Sequence, residues 1–247
     1  MQPQQEQIHT TITAPVVPLR TPRIPPLESG DHLTRHEFER RYEAMPELKK
    51  AELIEGVVYM PSPVRTEQHG NPHADLIAWM GFYRASTPGV RVSADATIRL
   101  DLENEPQPDA LIYIESASGG QSRLDADGYI DGGPELAAEV AASTVSIARN
   151  TKLRVYRRNN IREYIIWRVD DQVIDWFVLR QGQYEQLART AAGLLQSEQL
   201  PGLWLDADAL LRFDLPAVFQ ALQQQGLASP EHAAFVAQLQ QKVARQP

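Results

Sequence analysis

The chain has 247 residues, with 24 Lys and Arg against 32 Asp and Glu and a formal net charge of −8. Hydrophobic residues make up 43% and charged residues 23%, the composition of a globular domain with a sizeable core. The absence of cysteine excludes disulfide scaffolds, zinc sites built on Cys, thiol catalysis and iron–sulfur clusters, and the acidity argues against a generic nucleic-acid coat, which needs a positive field.

Residues 1–30 hold Pro3, Pro15, Pro18, Pro22, Pro25 and Pro26 among Gln and Thr with no sustained periodicity, and read as a disordered or extended tail. Thr34 followed by Glu37 has capping-box spacing and opens a short helix over 35–44, with Phe38 and Tyr42 on one face and Pro46 as its limit. AELIEGVVYM (51–60) reads as a strand or hairpin bending at Gly56. Leu76, Ile77, Met80 and Tyr83 have helical spacing and predict a core helix over 73–84. VRVSADATIRL (90–100) is β-like, DLENEPQ (101–107) an acidic loop, and ALIYI (110–114) a short buried strand that follows Pro108 and Asp109. A polar, Gly-rich loop over 115–133 leads to the strand ELAAEVA (135–141). A helix over 145–159 carries Leu153, Val155 and Tyr156, and REYIIWRV (162–169) pairs with QVIDWFVLR (172–180) around Asp170 and Asp171. Gly182 turns the chain toward Tyr184. A helix over 207–225 ends at Gly226, and Ser229-Pro230-Glu231 starts another. The order predicts a single mixed α/β domain followed by a helical appendage. No apolar run approaches the roughly 18 to 20 residues that cross a bilayer, and no basic region precedes an apolar one near the start, so the expectation is a soluble cytoplasmic protein with no membrane partner.

Several catalytic signatures are missing: GxxxxGK[ST], GxGxxG, GxSxG and HExxH do not occur. His69 and His73 have the i, i+4 spacing of a ligand pair, but Gly70 and Pro72 lie between them, and local hydrogen bonding is the stronger reading. The informative set is Asp109, Glu139 and Lys152. Glu139 sits inside an apolar strand, between the small side chains of Ala137 and Ala141, where an unpaired charge is costly to bury. A hard cation shared with a second carboxylate would satisfy it. From Glu139 the strand runs on for roughly 10 Å, and a helix returning from Val145 to Lys152 covers roughly 10 Å again, which brings Lys152 level with Glu139. Two carboxylates for Mg²⁺ and an ammonium beside a phosphate would serve metal-assisted phosphodiester hydrolysis. A buried Asp–Lys–Glu cluster that only ties helix to sheet is the structural alternative. Arg149, Arg154, Arg157, Arg158, Arg162 and Arg168 surround Lys152 with one acid, Glu163, among them; they offer phosphate contacts, or a solvated face paired with the acids of 101–105.

The ordered set ELIEG (52–56), His69 before a helix, Pro108-Asp109 before a short strand, PELAAEVAAST (134–144), Lys152 and Tyr156, and REYIIWRVD (162–170) resembles the Uma-two type restriction endonucleases of the PD-(D/E)XK nuclease superfamily over residues 32–205. The resemblance implies a restriction-endonuclease-like core, a mixed central β-sheet flanked by helices, over 31–205, with 206–247 outside it. It implies that Asp109 and Glu139 bind Mg²⁺ or Mn²⁺. Pro108-Asp109 matches the "PD" element, and Glu139-Val140-Ala141 matches "(D/E)XK" with Ala141 at the lysine position, the lysine being displaced to Lys152. Glu52 and His69 match further family positions near the site. Related sequences often carry an Asp four residues before this lysine, where this chain has Ala148. The implied activity is metal-dependent endonucleolytic cleavage of DNA, by a homodimer on the analogy of enzymes that cut both strands. The alternatives are a catalytically silent module of the same fold with a binding or regulatory role, and a structural interaction protein.

Overall fold

The structure, a computed structural model of the chain, describes residues 23–61, 63–142 and 144–245. The Pro-rich tail read from the sequence lies outside the described residues up to position 22. Its last part is not disordered: Leu27 is buried with Phe38, Leu53 and Val58, and the Gly30 amide donates to the Val58 carbonyl at 2.8 Å.

Helix α1 (Arg35–Glu43) turns Phe38 inward, with the Tyr42 ring 5.6 Å away. Its start differs from the capping box. The Thr34 side chain caps nothing, and Glu37 turns instead to Arg40 at 2.7 Å and Arg41 at 2.6 Å. Strands β1 (Glu52–Ile54) and β2 (Val57–Tyr59) form a hairpin. Glu55 and Gly56, at φ 51° and 75°, make the two-residue turn whose left-handed geometry suits strand twist. A wide turn at Thr66–Gly70 runs into α2 (Asn71–Ala85), which buries Leu76, Trp79, Met80 and Tyr83.

The central sheet takes strands from the middle of the chain: β3 (Val90–Ala94), β5 (Ala110–Ile114), β8 (Leu136–Ala141), β9 (Glu163–Arg168), β10 (Val173–Arg180) and β11 (Gln183–Gln186), in the order β11-β10-β9-β8-β5-β3. Only β8 and β9 run parallel; the other neighbours are antiparallel. Their connection contains a second wide turn (Ile147–Lys152) and α3 (Leu153–Arg158), the helical crossover that a parallel pair requires. The predicted helix over 145–159 is therefore regular only in its second half. The Gly-rich loop over 115–133 is not all loop: β6 (Arg123–Leu124) and β7 (Ile130–Asp131) form a small sheet with β4 (Ile98–Arg99). Arg99 fixes it, stacking 4.3 Å over the Tyr129 ring and reaching Asp125 at 2.6 Å.

Alternation along β8 and β9 divides the core. Ala138, Val140, Ile165 and Trp167 face α2, while Ala137, Ala141, Tyr164 and Ile166 face α3. After β12 (Leu195–Gln196) and β13 (Trp204–Leu205) the chain is helical, as read from the sequence: α4 (Ala207–Leu211), α5 (Leu215–Ala221) and α6 (Pro230–Ala244). The single helix predicted over 207–225 breaks at Phe213, whose φ is 58°. Asp214 then caps α5 by accepting from the Ala217 amide. Leu210, Val218, Leu222 and Leu239 join the same apolar cluster as Trp79 and Trp176, so the C-terminal helices complete the core on the α2 face. The fold is a mixed central sheet flanked by helices, with helices at its C-terminal end.

Candidate active site

Asp109 and Glu139 meet through sheet register. Ala110 is opposite Ala138, and Leu111 opposite Ala137. One further step places Asp109 beside Glu139 on the face toward α3. Asp109 Oδ2 accepts the Val140 amide at 2.7 Å, locking the carboxylate to the neighbouring strand. Asp109 and Glu139 are 4% and 8% exposed, and both line a cleft of about 1020 Å³.

Lys152 arrives from the crossover, with Nζ 2.7 Å from Glu139 Oε1 and 2.8 Å from Glu52 Oε1. The structure thus brings Lys152, Glu139 and Glu52 together. Glu52 also accepts the Gln107 amide at 2.7 Å. One helical turn beyond Lys152, Tyr156 donates its hydroxyl to Glu139 Oε1 at 3.0 Å. Lys152 and Tyr156 both use Oε1; among the described residues no hydrogen bond reaches Glu139 Oε2. Ala148, one turn before Lys152, is buried and adds only a methyl group to the cleft wall.

His69 Nε2 lies 3.3 Å from Asp109 Oδ1, and His73 Nε2 donates to the Asp109 carbonyl at 2.7 Å. The two histidines therefore serve Asp109 separately, their rings edge to face with centroids 5.6 Å apart. Sequence reasoning missed Lys50 altogether. Its Nζ is 2.8 Å from Asp95 Oδ1 and 3.6 Å from Asp109 Oδ1. Its only signal was its position two residues before Glu52. Tyr156 was read as an apolar residue of the 145–159 helix and as part of the family resemblance, without a role at Glu139, although its i, i+4 spacing from Lys152 placed both on one face.

The two carboxylates differ electrostatically. Burial alone would raise the pKa of Asp109, but His69, the Val140 amide and Lys50 outweigh it and hold the group at about 2. Burial pushes Glu139 up to about 7; Lys152 opposes that rise, while Asp109 and Glu52 add to it. The pKa of Lys152 is raised because Glu139 and Glu52 overcome the opposing effect of burial. His69 is raised by its contact with Asp109. Glu139 is thus a carboxylate whose charged form is disfavoured chiefly by burial, and among the described residues only one of its oxygens has a protein donor. Among the described residues no three His, Asp or Glu side chains cluster as a metal site.

The basic stretch does not meet the acids of 101–105. Arg154 and Arg158 pair with Glu55 at 3.0 and 2.9 Å, Arg149 lies 3.6 Å from Asp175, and Arg168 pairs with Asp171 and Asp175. Arg157 and Arg162 donate to Gln183 and Gln121.

The family Uma2, described as "Putative restriction endonuclease", matches residues 35–208. A crystal structure at 1.96 Å of a "putative nuclease belonging to DUF820" from Anabaena variabilis is similar at 16% identity, covering 70% of this chain and 97% of that chain, with a TM-score of 0.48. No curated protein matches. Among the described residues no helix is long and apolar enough to cross a membrane.

Proposed function

The chain belongs to the Uma2 restriction-endonuclease family, and we propose that it is a metal-dependent endonuclease that hydrolyses DNA phosphodiester bonds in the cleft around Asp109, Glu139 and Lys152. One observation carries the reading: two buried carboxylates adjoin across β5 and β8, with a buried ammonium 2.7 Å from one of them, in a cleft open to substrate.

The donor set fits a hard divalent ion, Mg²⁺ or Mn²⁺. It offers carboxylate oxygens and no sulfur, and Mg²⁺ is commonly held by one or two carboxylates plus water and substrate phosphate. When bound, such an ion supplies Lewis-acid polarisation of the scissile phosphate and an acidified water. The chain's own residues supply the rest. Asp109, held at about 2, is an anion at any working pH. Glu139 presents Oε2, while Lys152 and Tyr156 fix its other oxygen. Lys152 has three N–H donors; two point to Glu52 and Glu139, leaving one for a phosphate oxygen or the attacking water. Glu52 anchors Lys152, and His69 orients Asp109. Cutting both strands calls for two such clefts, so a cytoplasmic homodimer is the proposed assembly.

A second reading, a silent module of the same fold, is favoured by one residue. Ala148 supplies no carboxylate where related sequences often have one, four residues before the lysine. Nicking of supercoiled plasmid with Mg²⁺ or Mn²⁺ separates the two readings. The nuclease reading expects activity in the wild type that is lost in Asp109→Ala and Lys152→Ala. Equal activity in all three proteins contradicts it, and DNA binding without cleavage under either metal establishes the silent module.

A further inference from the structure

Around the cleft two lysines each bridge two acids. Lys152 joins Glu139 to Glu52, and Lys50 joins Asp109 to Asp95. The reaction proposed above gives Lys50 no part, yet its placement is built in by the backbone. The Asp95 amide donates to the Asp109 carbonyl at 3.1 Å, so the two acids spring from adjoining chain. Asp95 sits at φ 50°, a left-handed conformation that Asp tolerates better than most residues. Lys50 lies just before β1, which also supplies Glu52, so one short segment sends a cation to Asp109 and an anion to Lys152.

We infer that Lys50 is a positioning residue that acts as the resident second cation of the site, so that the cleft takes one divalent ion and not two. The inference rests on the nuclease reading. With the four carboxylates ionised and His69 uncharged, Glu52, Asp95, Asp109 and Glu139 bring four negative charges and the two lysines two positive ones. The remaining formal charge of −2 matches a single divalent ion. Two-metal sites hold their ions about 3.5 to 4 Å apart on a shared carboxylate. Asp109 is the carboxylate suited to sharing here, but its Oδ1 already faces Lys50 at 3.6 Å and His69 at 3.3 Å. A second ion between Asp95 and Asp109 would fall on the Lys50 ammonium, and like charges at that range repel strongly.

Mn²⁺ uptake by the full chain, read by electron paramagnetic resonance of the free ion, tests this without measuring activity. The wild type should take up one Mn²⁺ per chain, lost in Asp109→Asn. Lys50→Ala should take up two, Lys50→Arg one, and Lys50→Ala combined with Asp95→Asn one again. Two ions in the wild type that both depend on Asp109, or a single ion in Lys50→Ala, overturns the inference and leaves the nuclease reading standing. No uptake by the wild type overturns both. Should Lys50→Ala fail to fold, the wild-type stoichiometry alone still decides, since two Asp109-dependent ions exclude a resident ammonium.

Discussion

At Glu139 two demands conflict. A carboxylate in the middle of β8 is useful to a metal ion and expensive to bury, and Lys152 is the compromise. Breaking a buried pair from one side leaves an uncompensated charge at a cost of about 3 to 5 kcal/mol. Lys152→Ala is therefore expected to lose about 3 kcal/mol of stability at pH 8. The loss should shrink toward pH 5. A carboxyl whose folded pKa is raised keeps its stabilising contribution below its unfolded value near 4.5 and loses it as pH climbs through the folded value, about 7 with Lys152 present and higher without it. Urea unfolding of wild type and variant at the two pH values checks this; a loss independent of pH would contradict it. The sequence exposed this pair because strand and helix rises are fixed, so counting residues brought Lys152 level with Glu139. It did not expose Lys50, whose partner Asp95 is 45 residues away, beyond the hairpin, α2 and β3.

Elements were legible where one strong pattern governed them. The strands around Leu111, Val140 and Ile165 stand out because apolar, largely β-branched or small residues fill both faces of a buried sheet. Helix ends were less legible, since several side chains compete for the same donor. Thr34 and Ser229 both looked like caps, but only Ser229 accepts an amide hydrogen, from His232 at 3.2 Å. Ser229→Ala should then cost about 1 kcal/mol and Thr34→Ala less than about 0.5 kcal/mol in chemical denaturation; equal costs would contradict the assignment. The junction of α1 with the sheet also carries a pH response. Burial, with Glu39 adding to it, pushes Glu105 up to about 8, against the pull of Arg99 and Arg35. Its stabilising contribution is complete below the ordinary carboxylate value and is lost as pH rises through about 8. Urea midpoints should therefore fall between pH 6 and pH 9, and Glu105→Gln should flatten that fall. An unchanged slope in the variant would contradict it.

For the whole molecule, a net charge of −8 coexists with cations gathered at the cleft. Of the arginines around Lys152, Arg154, Arg158 and Arg168 are paired with Glu55, Asp171 and Asp175, and the cleft wall itself carries Lys49 and Arg65 beside the site lysines and histidines. With so few cations at the cleft wall, DNA affinity measured in Ca²⁺ should depend on salt with a log–log slope of only about −2 to −3; a slope near −8 would contradict this. The helical C-terminal end was legible as helix but not as core, because Leu210, Val218 and Leu239 show their burial only against Trp79 and Trp176.

The claim that Asp109 and Glu139 form a metal-dependent hydrolytic site is tested most directly by the rate of plasmid nicking as Mg²⁺ is raised, in wild type and in Glu139→Gln, which keeps the shape of the side chain and the Glu52–Lys152 contact. The account predicts a saturable, Mg²⁺-dependent rate that falls by about a hundredfold or more in the variant. A rate independent of Mg²⁺, or one unchanged by Glu139→Gln, would contradict it.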